Sequence, residues 1–123
     1  MIFNFLHHKA YWSKGRSKAA VERSIQHSIC FGVYLDGQQL GFAREVTDRA
    51  IFACLMDVFI LPEFRGLGAG KQLLQTIFDH PELKTVKTWG LKTYDTHSLY
   101  KQFDFQPLSR PEVFMERSSD QQV

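Results

Sequence analysis

The feature that most constrains this fold is an apolar run that ends at a proline and is followed by closely spaced glycines. Residues 51–61 are apolar except for Asp57, which predicts a central strand buried on both faces. Pro62 breaks the run, and apolar residues at helical spacing predict a helix over 68–79. A buried strand that turns directly into a helix predicts a domain in which helices pack on a central sheet.

The glycine-rich turn over residues 65–70 has the chemistry of an anion-binding site. The first amides of a helix have no acceptor within the helix, and the helix dipole adds partial positive charge there. The alternating glycines leave the backbone accessible to a phosphate, and Arg65 and Lys71 flank them with positive charge. The turn therefore predicts a phosphate group bound on backbone amides.

The spacing of these glycines argues against two common phosphate-binding motifs. The P-loop pattern requires Ser or Thr after Lys71, where this chain has Gln72. The dinucleotide fingerprint G-x-G-x-x-G fails as well, because the glycines stand at 66, 68 and 70. What remains is an R-x-x-G-x-G pattern that follows a strand and a Pro-Glu-aromatic turn.

The rest of the chain predicts a mixed α/β, or α+β, fold around one sheet. Helical spacing predicts two helices in the first third, the second over 18–27 with Ser17 as its cap. From Ile29 the period changes to two, and Asp36-Gly37 predicts a hairpin turn. After the helix at 68–79 the pattern predicts a strand over 86–93, a short helix through Phe103 and a final strand over 105–117 that its prolines interrupt.

Length and composition indicate a single domain. The chain has 123 residues, enough for one compact core and too few for two, and 44% of them are hydrophobic. We expect one domain over residues 1–117 and a frayed polar tail over 118–123.

Two segments resemble the GNAT superfamily of N-acetyltransferases. Residues 60–74, around the glycine turn, are similar to the acetyl-CoA-binding motif of that family, and Leu99-Tyr100-Lys101-Gln102-Phe103-Asp104-Phe105 is similar to its L-Y-x-x-x-G-F segment. The resemblance covers roughly residues 29–117, and residues 93–100 resemble a group of small bacterial members. It implies a mostly antiparallel twisted sheet that is flanked by helices and splayed at the acetyl-CoA site.

The resemblance also implies roles for individual positions. Backbone groups of Phe59 and Ile60 would pair with the pantetheine arm of acetyl-CoA, and Tyr100 would protonate the departing thiolate, since a phenol is a donor at neutral pH. The residues implied to hold the pyrophosphate are Arg65, Gly66, Leu67, Gly68, Ala69, Gly70 and Lys71. The implied reaction is direct attack of a primary amine on acetyl-CoA in a ternary complex, because neither cysteine lies in these motifs.

Acetyl transfer requires a group that removes a proton from the amine. Asp57 is our candidate, because it is the only charged residue in 51–61 and a desolvated carboxylate has a raised pKa. A structural role for this carboxylate remains open. Glu63 is the alternative base, at a turn position that is expected to be exposed.

Departures from the family pattern leave other functions open. Asp104 stands where the family has glycine, and Thr93 stands where many members have asparagine. A catalytically weak acyl-CoA sensor or regulatory module is therefore an alternative, and a phosphate- or nucleotide-binding domain unrelated to acyl transfer is a third. Only residues 1–4 are available for the first strand of the family, so that strand is either missing or supplied by a partner chain, as in a homodimer.

The composition argues against several other classes. A net charge of +2 does not require a nucleic-acid partner. The sequence contains no run of about 18 apolar residues, so no membrane span is expected. The first residues lack the pattern of a signal peptide, so a cytoplasmic location is expected. His7-His8 has no further ligands at matching spacing, so no metal is expected, and Cys30 and Cys54 are expected to be free thiols.

Overall fold

The computed structural model describes residues 2, 16–93 and 96–119. These residues fall into two compact units, one that ends at Lys92 and one that begins at Thr93. The predicted first helix, the residues available for the first strand and the end of the tail at 120–123 lie outside the described residues, apart from residue 2, which is helical. Within the described ranges no helix is long and apolar enough to cross a membrane.

The first unit contains a four-stranded sheet. Its strands, in spatial and chain order, are β1 (Ile29–Leu35), β2 (Gln38–Thr47), β3 (Phe52–Ile60) and β4 (Thr88–Leu91). β1 pairs antiparallel with β2, β2 pairs antiparallel with β3, and β3 pairs parallel with β4. Asp36 and Gly37 both adopt positive φ, 51° and 79°, which suits the twist of a two-residue hairpin turn. The structure thus confirms the predicted mixed fold.

Helices pack on both faces of this sheet. Helix α1 spans Lys18–Gln26, and the hydroxyl of Ser17 accepts a 3.1 Å hydrogen bond from the amide of Ala20, as the predicted cap should. A 3-10 helix, Pro62–Phe64, leads from β3 to helix α2, Ala69–Asp79. Sequence therefore located both helices to within a residue.

Alternation along β3 separates the two faces. Phe59 and Phe42 form a core cluster with Val21 of α1. Ile60 points the other way, and its side chain lies beneath Gly70 of α2. On that second face, α2 buries Leu73, Leu74 and Ile77. Because helices cover both faces, β2 is buried at every position from Leu40 to Glu45.

The second unit holds α3, His97–Lys101, and a 3-10 helix, Pro111–Val113. The predicted strand over 105–117 is wrong, because the structure assigns no strand to these residues. Pro107 and Pro111 remove two backbone donors from this stretch, which disfavours a continuous ladder. The predicted strand over 86–93 is correct in place but shorter, at Thr88–Leu91.

Candidate functional site

The end of β3 extends past its parallel neighbour. The last register pair between β3 and β4 joins Leu55 to Leu91, whereas β3 continues to Ile60. A β-bulge lies in this continuing part, because Phe42 pairs with Phe59 but Arg44 pairs with Met56. Beyond Leu55, β3 therefore has no register partner on β4.

Asp57 occupies the bulge with a φ of 55°. Positive φ is uncommon for a residue with a side chain and strains the backbone by roughly 1–2 kcal/mol. Bulges turn side chains away from the regular alternation and are frequent beside functional sites. Here the bulge buries a carboxylate two residues beyond the last register pair between β3 and β4.

Two arginines hold the Asp57 carboxylate, whose side chain is only 1% exposed. Nη1 of Arg16 donates to both carboxylate oxygens at 2.9 Å, and Nε of Arg44 donates to one of them at 3.0 Å. Nη1 of Arg44 also donates to the hydroxyl of Ser28 at 3.0 Å. This ionic cluster ties the chain before α1 and the loop before β1 to the bulge.

The ionic cluster bears directly on what Asp57 can do. Both guanidiniums bind the anionic carboxylate, so accepting a proton would remove the charge that holds them. A role in positioning Arg16 and the start of α1 therefore competes with the predicted role as general base. Glu63, the alternative base, lies exposed in the 3-10 helix.

The glycine turn has a left-handed backbone where it meets α2. Gly66 has a φ of 84° and Gly68 a φ of 82°, and a Cβ added at either would meet no atom within 4 Å. Backbone conformation, not space, thus requires glycine at these positions. Leu67 between them is 74% exposed, which excludes it from the core.

The first turn of α2 is open to an anion. Gly68 caps the helix without a side-chain hydrogen bond, and no acidic residue lies in the first turn. The first backbone bond of the helix runs from the amide of Gln72 to the carbonyl of Gly68, so the amides of Ala69, Gly70 and Lys71 precede it. These amides and the helix dipole lie where the sequence predicts a phosphate site, and the site itself stays a prediction.

Side chains beside the turn hold its first residue against β3 and add positive charge. Nε of Arg65 donates a 2.9 Å hydrogen bond to the carbonyl of Ile60, which ties the start of the turn to the end of β3. Lys71 is exposed on α2. The first unit therefore brings the predicted cofactor residues together along β3, the turn and α2.

Tyr100 belongs to the second unit. It is buried at 9% exposure on α3, and its ring meets that of Phe105 edge to face at a centroid distance of 6.0 Å. Asp104 adopts a φ of 69°, and the amide of Phe105 bonds the carbonyl of Tyr100. Asp104 thus takes a left-handed conformation at the position where the family has glycine.

Glu45 is the functional candidate that the sequence did not reveal. It is 0% exposed, and no described residue donates a hydrogen bond to either of its carboxyl oxygens. Desolvation raises the pKa of Glu45 to about 8. Its only sequence signal is that it is the sole carboxylate of β2, directly after Arg44.

The cysteines stay outside this chemistry. Both are free thiols, and burial raises the pKa of Cys30 and of Cys54 above the usual value. A raised pKa keeps a thiol protonated and weakens it as a nucleophile. Among the residues that the structure describes, no His, Cys, Asp and Glu group of three or more forms a metal site.

Comparisons with known proteins agree on a family. The family model described as "Acetyltransferase (GNAT) domain" matches residues 26–107. A solved structure from Xanthomonas campestris, assigned to the GNAT family, is 42% identical with a TM-score of 0.93, over 96% of this chain and 83% of that one. The chain therefore belongs to the GNAT acetyltransferase family.

Other relatives show how much of the chain the similarity covers. A Gibberella zeae protein assigned as an acetyltransferase is 32% identical over 54% of this chain and 48% of its own length. The chain thus spans about half the length of this curated relative. An Elizabethkingia anophelis GNAT acetyltransferase with acetyl-CoA bound shares the fold, with a TM-score of 0.59, 15% identity and coverage of 71% of this chain and 60% of that one.

Proposed function

We propose that the protein is an N-acetyltransferase that moves the acetyl group of acetyl-CoA to a primary amine by direct attack in a ternary complex. The observation that carries the proposal is the open N-terminus of α2, which directly follows a left-handed glycine turn. The acceptor is the amine of a small molecule or a peptide. A bacterial cytoplasm is the proposed setting, and a homodimer the proposed assembly.

The turn is proposed to bind the pyrophosphate of acetyl-CoA. Backbone amides of Ala69, Gly70 and Lys71 would donate to its oxygens, and the helix dipole would add to the attraction. Arg65, Gly66, Leu67 and Gly68 would form the rim of the site. Charge on Arg65 and Lys71 would stabilise the anion further, although both side chains are exposed and screened by salt.

The edge of β3 is proposed to bind the pantetheine arm. An extended chain that carries amides can add to a strand edge through backbone hydrogen bonds. Phe59 and Ile60 lie beyond the last register pair with β4, on the part of β3 that leads to the turn. The arm would therefore run along β3 from the pyrophosphate toward the bulge at Asp57.

The proposed chemistry breaks one bond and forms one. The amine nitrogen attacks the thioester carbonyl, a C–N bond forms, and the C–S bond breaks. Tyr100 donates its phenolic proton to the thiolate, and a base takes the proton that the amine loses. Asp57 is the proposed base, with Glu63 as the alternative, and the ionic cluster gives Asp57 the competing role of positioning Arg16.

A pH profile separates the two roles of Asp57. If it is the base, Asp57→Asn abolishes the acidic limb of kcat at unchanged KM for acetyl-CoA. If it positions Arg16, the limb persists, and Asp57→Glu restores much of the lost activity. Glu63→Gln is the matched variant, because Glu63 is the alternative base and is exposed.

A turnover screen tests the proposal. Acetyl-CoA is offered with amines, amino acids, aminoglycosides and peptides, and released thiol is measured. With a productive amine, we expect Tyr100→Phe to lower kcat about 10²-fold or more while calorimetry shows nearly unchanged acetyl-CoA binding. Tyr34→Phe is the control, because Tyr34 is 64% exposed on β1. Equal kcat in both variants would remove Tyr100 from the mechanism.

A sensor without transfer activity is the second candidate. It is favoured by Thr93, which stands where many family members have asparagine and whose hydroxyl is 2.5 Å from that of Thr96. That contact engages the hydroxyl within its own loop. Tight acetyl-CoA binding without thiol release for any amine would favour this candidate, and absence of acetyl-CoA binding would exclude both.

A further inference from the structure

The ionic cluster at the bulge of β3 carries more positive than negative charge. Two guanidiniums donate to the Asp57 carboxylate, Nη1 of Arg16 at 2.9 Å and Nε of Arg44 at 3.0 Å. The other groups to which Arg44 donates are neutral, namely the Ser28 hydroxyl at 3.0 Å and the Met56 sulfur at 3.6 Å. Among the five residues named here, one positive charge is therefore in excess.

The excess charge is accessible to solvent through Arg16. The Arg16 side chain is 25% exposed, whereas the side chains of Arg44 and Asp57 are 8% and 1% exposed. A guanidinium binds carboxylates well, because its planar fork of N–H donors matches the two oxygens. An anion that approaches this cluster would therefore meet Arg16 before Arg44.

The cluster lies beside the position where the proposed reaction would occur. Asp57 precedes Phe59 and Ile60 on β3, the two residues along which the pantetheine arm is proposed to run toward the bulge. The thioester at the end of that arm would lie closest to the bulge. An amine that attacks it would be near Asp57, and a second group on the same acceptor would be within reach of Arg16.

If the protein transfers acetyl groups as proposed above, we infer that its acceptor carries a carboxylate on the carbon next to the amine, as an α-amino acid does, and that Arg16 binds this carboxylate. A cationic amine without an anion is repelled by the excess positive charge, whereas a zwitterion brings a carboxylate that offsets it. Polyamines and aminoglycosides, which carry several cationic amines and no carboxylate, are disfavoured for the same reason.

The excess charge also favours the reactive form of the amine. A nearby positive charge disfavours protonation of an amine and so lowers its pKa, which leaves more of the neutral nucleophile. The acceptor carboxylate neither gains nor loses a bond, and the amine nitrogen replaces the sulfur on the acetyl carbon as described above. Arg16 is therefore a residue that determines acceptor specificity.

Arginine side-chain NMR of the full-length protein tests carboxylate binding without any turnover. The Nε–Hε resonance of Arg16, assigned with Arg16→Lys, is followed in excess coenzyme A during titration with N-acetylglycine and with N-acetylglycinamide at equal ionic strength. We expect a saturable shift with N-acetylglycine alone. The Arg49 resonance is the internal control, because Arg49 pairs with Glu82 on the surface. A shift of Arg16 with both compounds or with neither, or an equal shift of Arg49, would overturn the proposal.

Acceptor kinetics give a second readout that separates carboxylate binding from support of Asp57. Amino acids are compared with their amides, and we expect kcat/KM to favour the amino acid by about tenfold or more, since hydrogen bonds between charged groups are strong. Arg16→Gln should bring this ratio toward one, and Arg16→Lys, which keeps the charge, should retain part of it. A misplaced Asp57 would slow both acceptors alike and leave the ratio unchanged.

The kinetic outcomes distinguish this proposal from the proposed function. Thiol release at equal kcat/KM for amino acids and amides, or an unchanged ratio in Arg16→Gln, would overturn the role of Arg16 and leave acetyl transfer intact. Absence of thiol release with every amine would contradict acetyl transfer itself, and the NMR titration would still decide whether Arg16 binds a carboxylate.

Discussion

Asp57 and Glu45 lie on neighbouring strands of one sheet, are 5% and 0% exposed, and differ in what surrounds them. Asp57 accepts hydrogen bonds from the guanidiniums of Arg16 and Arg44. Glu45 accepts none from the described residues, and desolvation raises its pKa to about 8. Burial alone therefore does not decide how a carboxyl behaves, because the available partners determine which protonation state is stable.

The stability of the two regions should therefore respond to different changes. Around Asp57, paired charges connect β2, β3 and the chain before α1, so removal of one arginine leaves a buried carboxylate with less compensating charge. Around Glu45, the raised pKa of the buried carboxyl makes the stability of the sheet depend on pH. The first region is a hydrogen-bonded part of the proposed active site, and the second is a point where pH acts on stability.

The largest effect is expected from Arg44→Met. This change leaves the buried carboxylate of Asp57 with one fewer partner, and breaking a buried pair destabilises a protein by about 3–5 kcal/mol. Urea unfolding measures the loss. Arg49→Met is the matched control, because its exposed pair with Glu82 contributes about 0–1 kcal/mol. Equal losses of unfolding free energy in the two variants would contradict the difference between the buried pair at Asp57 and the exposed pair at Glu82.

The next effect is the pH dependence that Glu45 imposes. Its pKa is raised from 4.5 to about 8 in the folded state, so the folded protein binds more protons than the unfolded chain between these values. Stability from this group is complete below pH 4.5 and falls by about 1.4 kcal/mol per pH unit as pH rises toward 8.

Denaturant unfolding of the wild type and of Glu45→Gln across pH 5 to 9 measures this dependence. The variant should lose less stability with rising pH than the wild type. A parallel decline in both proteins would show that Glu45 ionises normally in the folded state. Glu82→Gln, at an exposed site, should retain the decline of the wild type.

The smallest effect compares two glycines of the cofactor turn. Gly68→Ala forces a side chain into a φ of 82°, which should destabilise the protein by about 1–2 kcal/mol. Gly70→Ala adds a Cβ in ordinary contact with Ile60 and should stabilise α2 by about 0.5–1 kcal/mol. Thermal unfolding distinguishes them, and a similar sign for both would contradict the left-handed turn.

Local chemistry made much of the fold predictable. Asp36-Gly37 predicted the hairpin, and Ser17 predicted the start of α1, because each depends on residues adjacent in sequence. The turn at 65–70 was predictable for the same reason, since Gly66 and Gly68 adopt the backbone conformation that only glycine reaches easily.

Features that depend on tertiary packing were harder to predict. Alternation along β2 gives no reason to bury Glu45, but both faces of the strand are covered, so no outward position remains. Asp57 binds Arg16 and Arg44, which are 41 and 13 residues away in sequence. No local sequence pattern predicts these contacts. The strand predicted over 105–117 allowed for an interruption at its prolines, but the residues beside Pro107 and Pro111 form no strand either.

Amide NMR during an acetyl-CoA titration tests the central claim most directly, since it reads the proposed pyrophosphate site residue by residue. We predict that the amide resonances of Ala69, Gly70 and Lys71 shift to saturation, because these groups precede the first backbone bond of α2. S-acetylpantetheine, which lacks the pyrophosphate, should leave them nearly unchanged. Saturable acetyl-CoA binding without a shift at these amides would contradict the account.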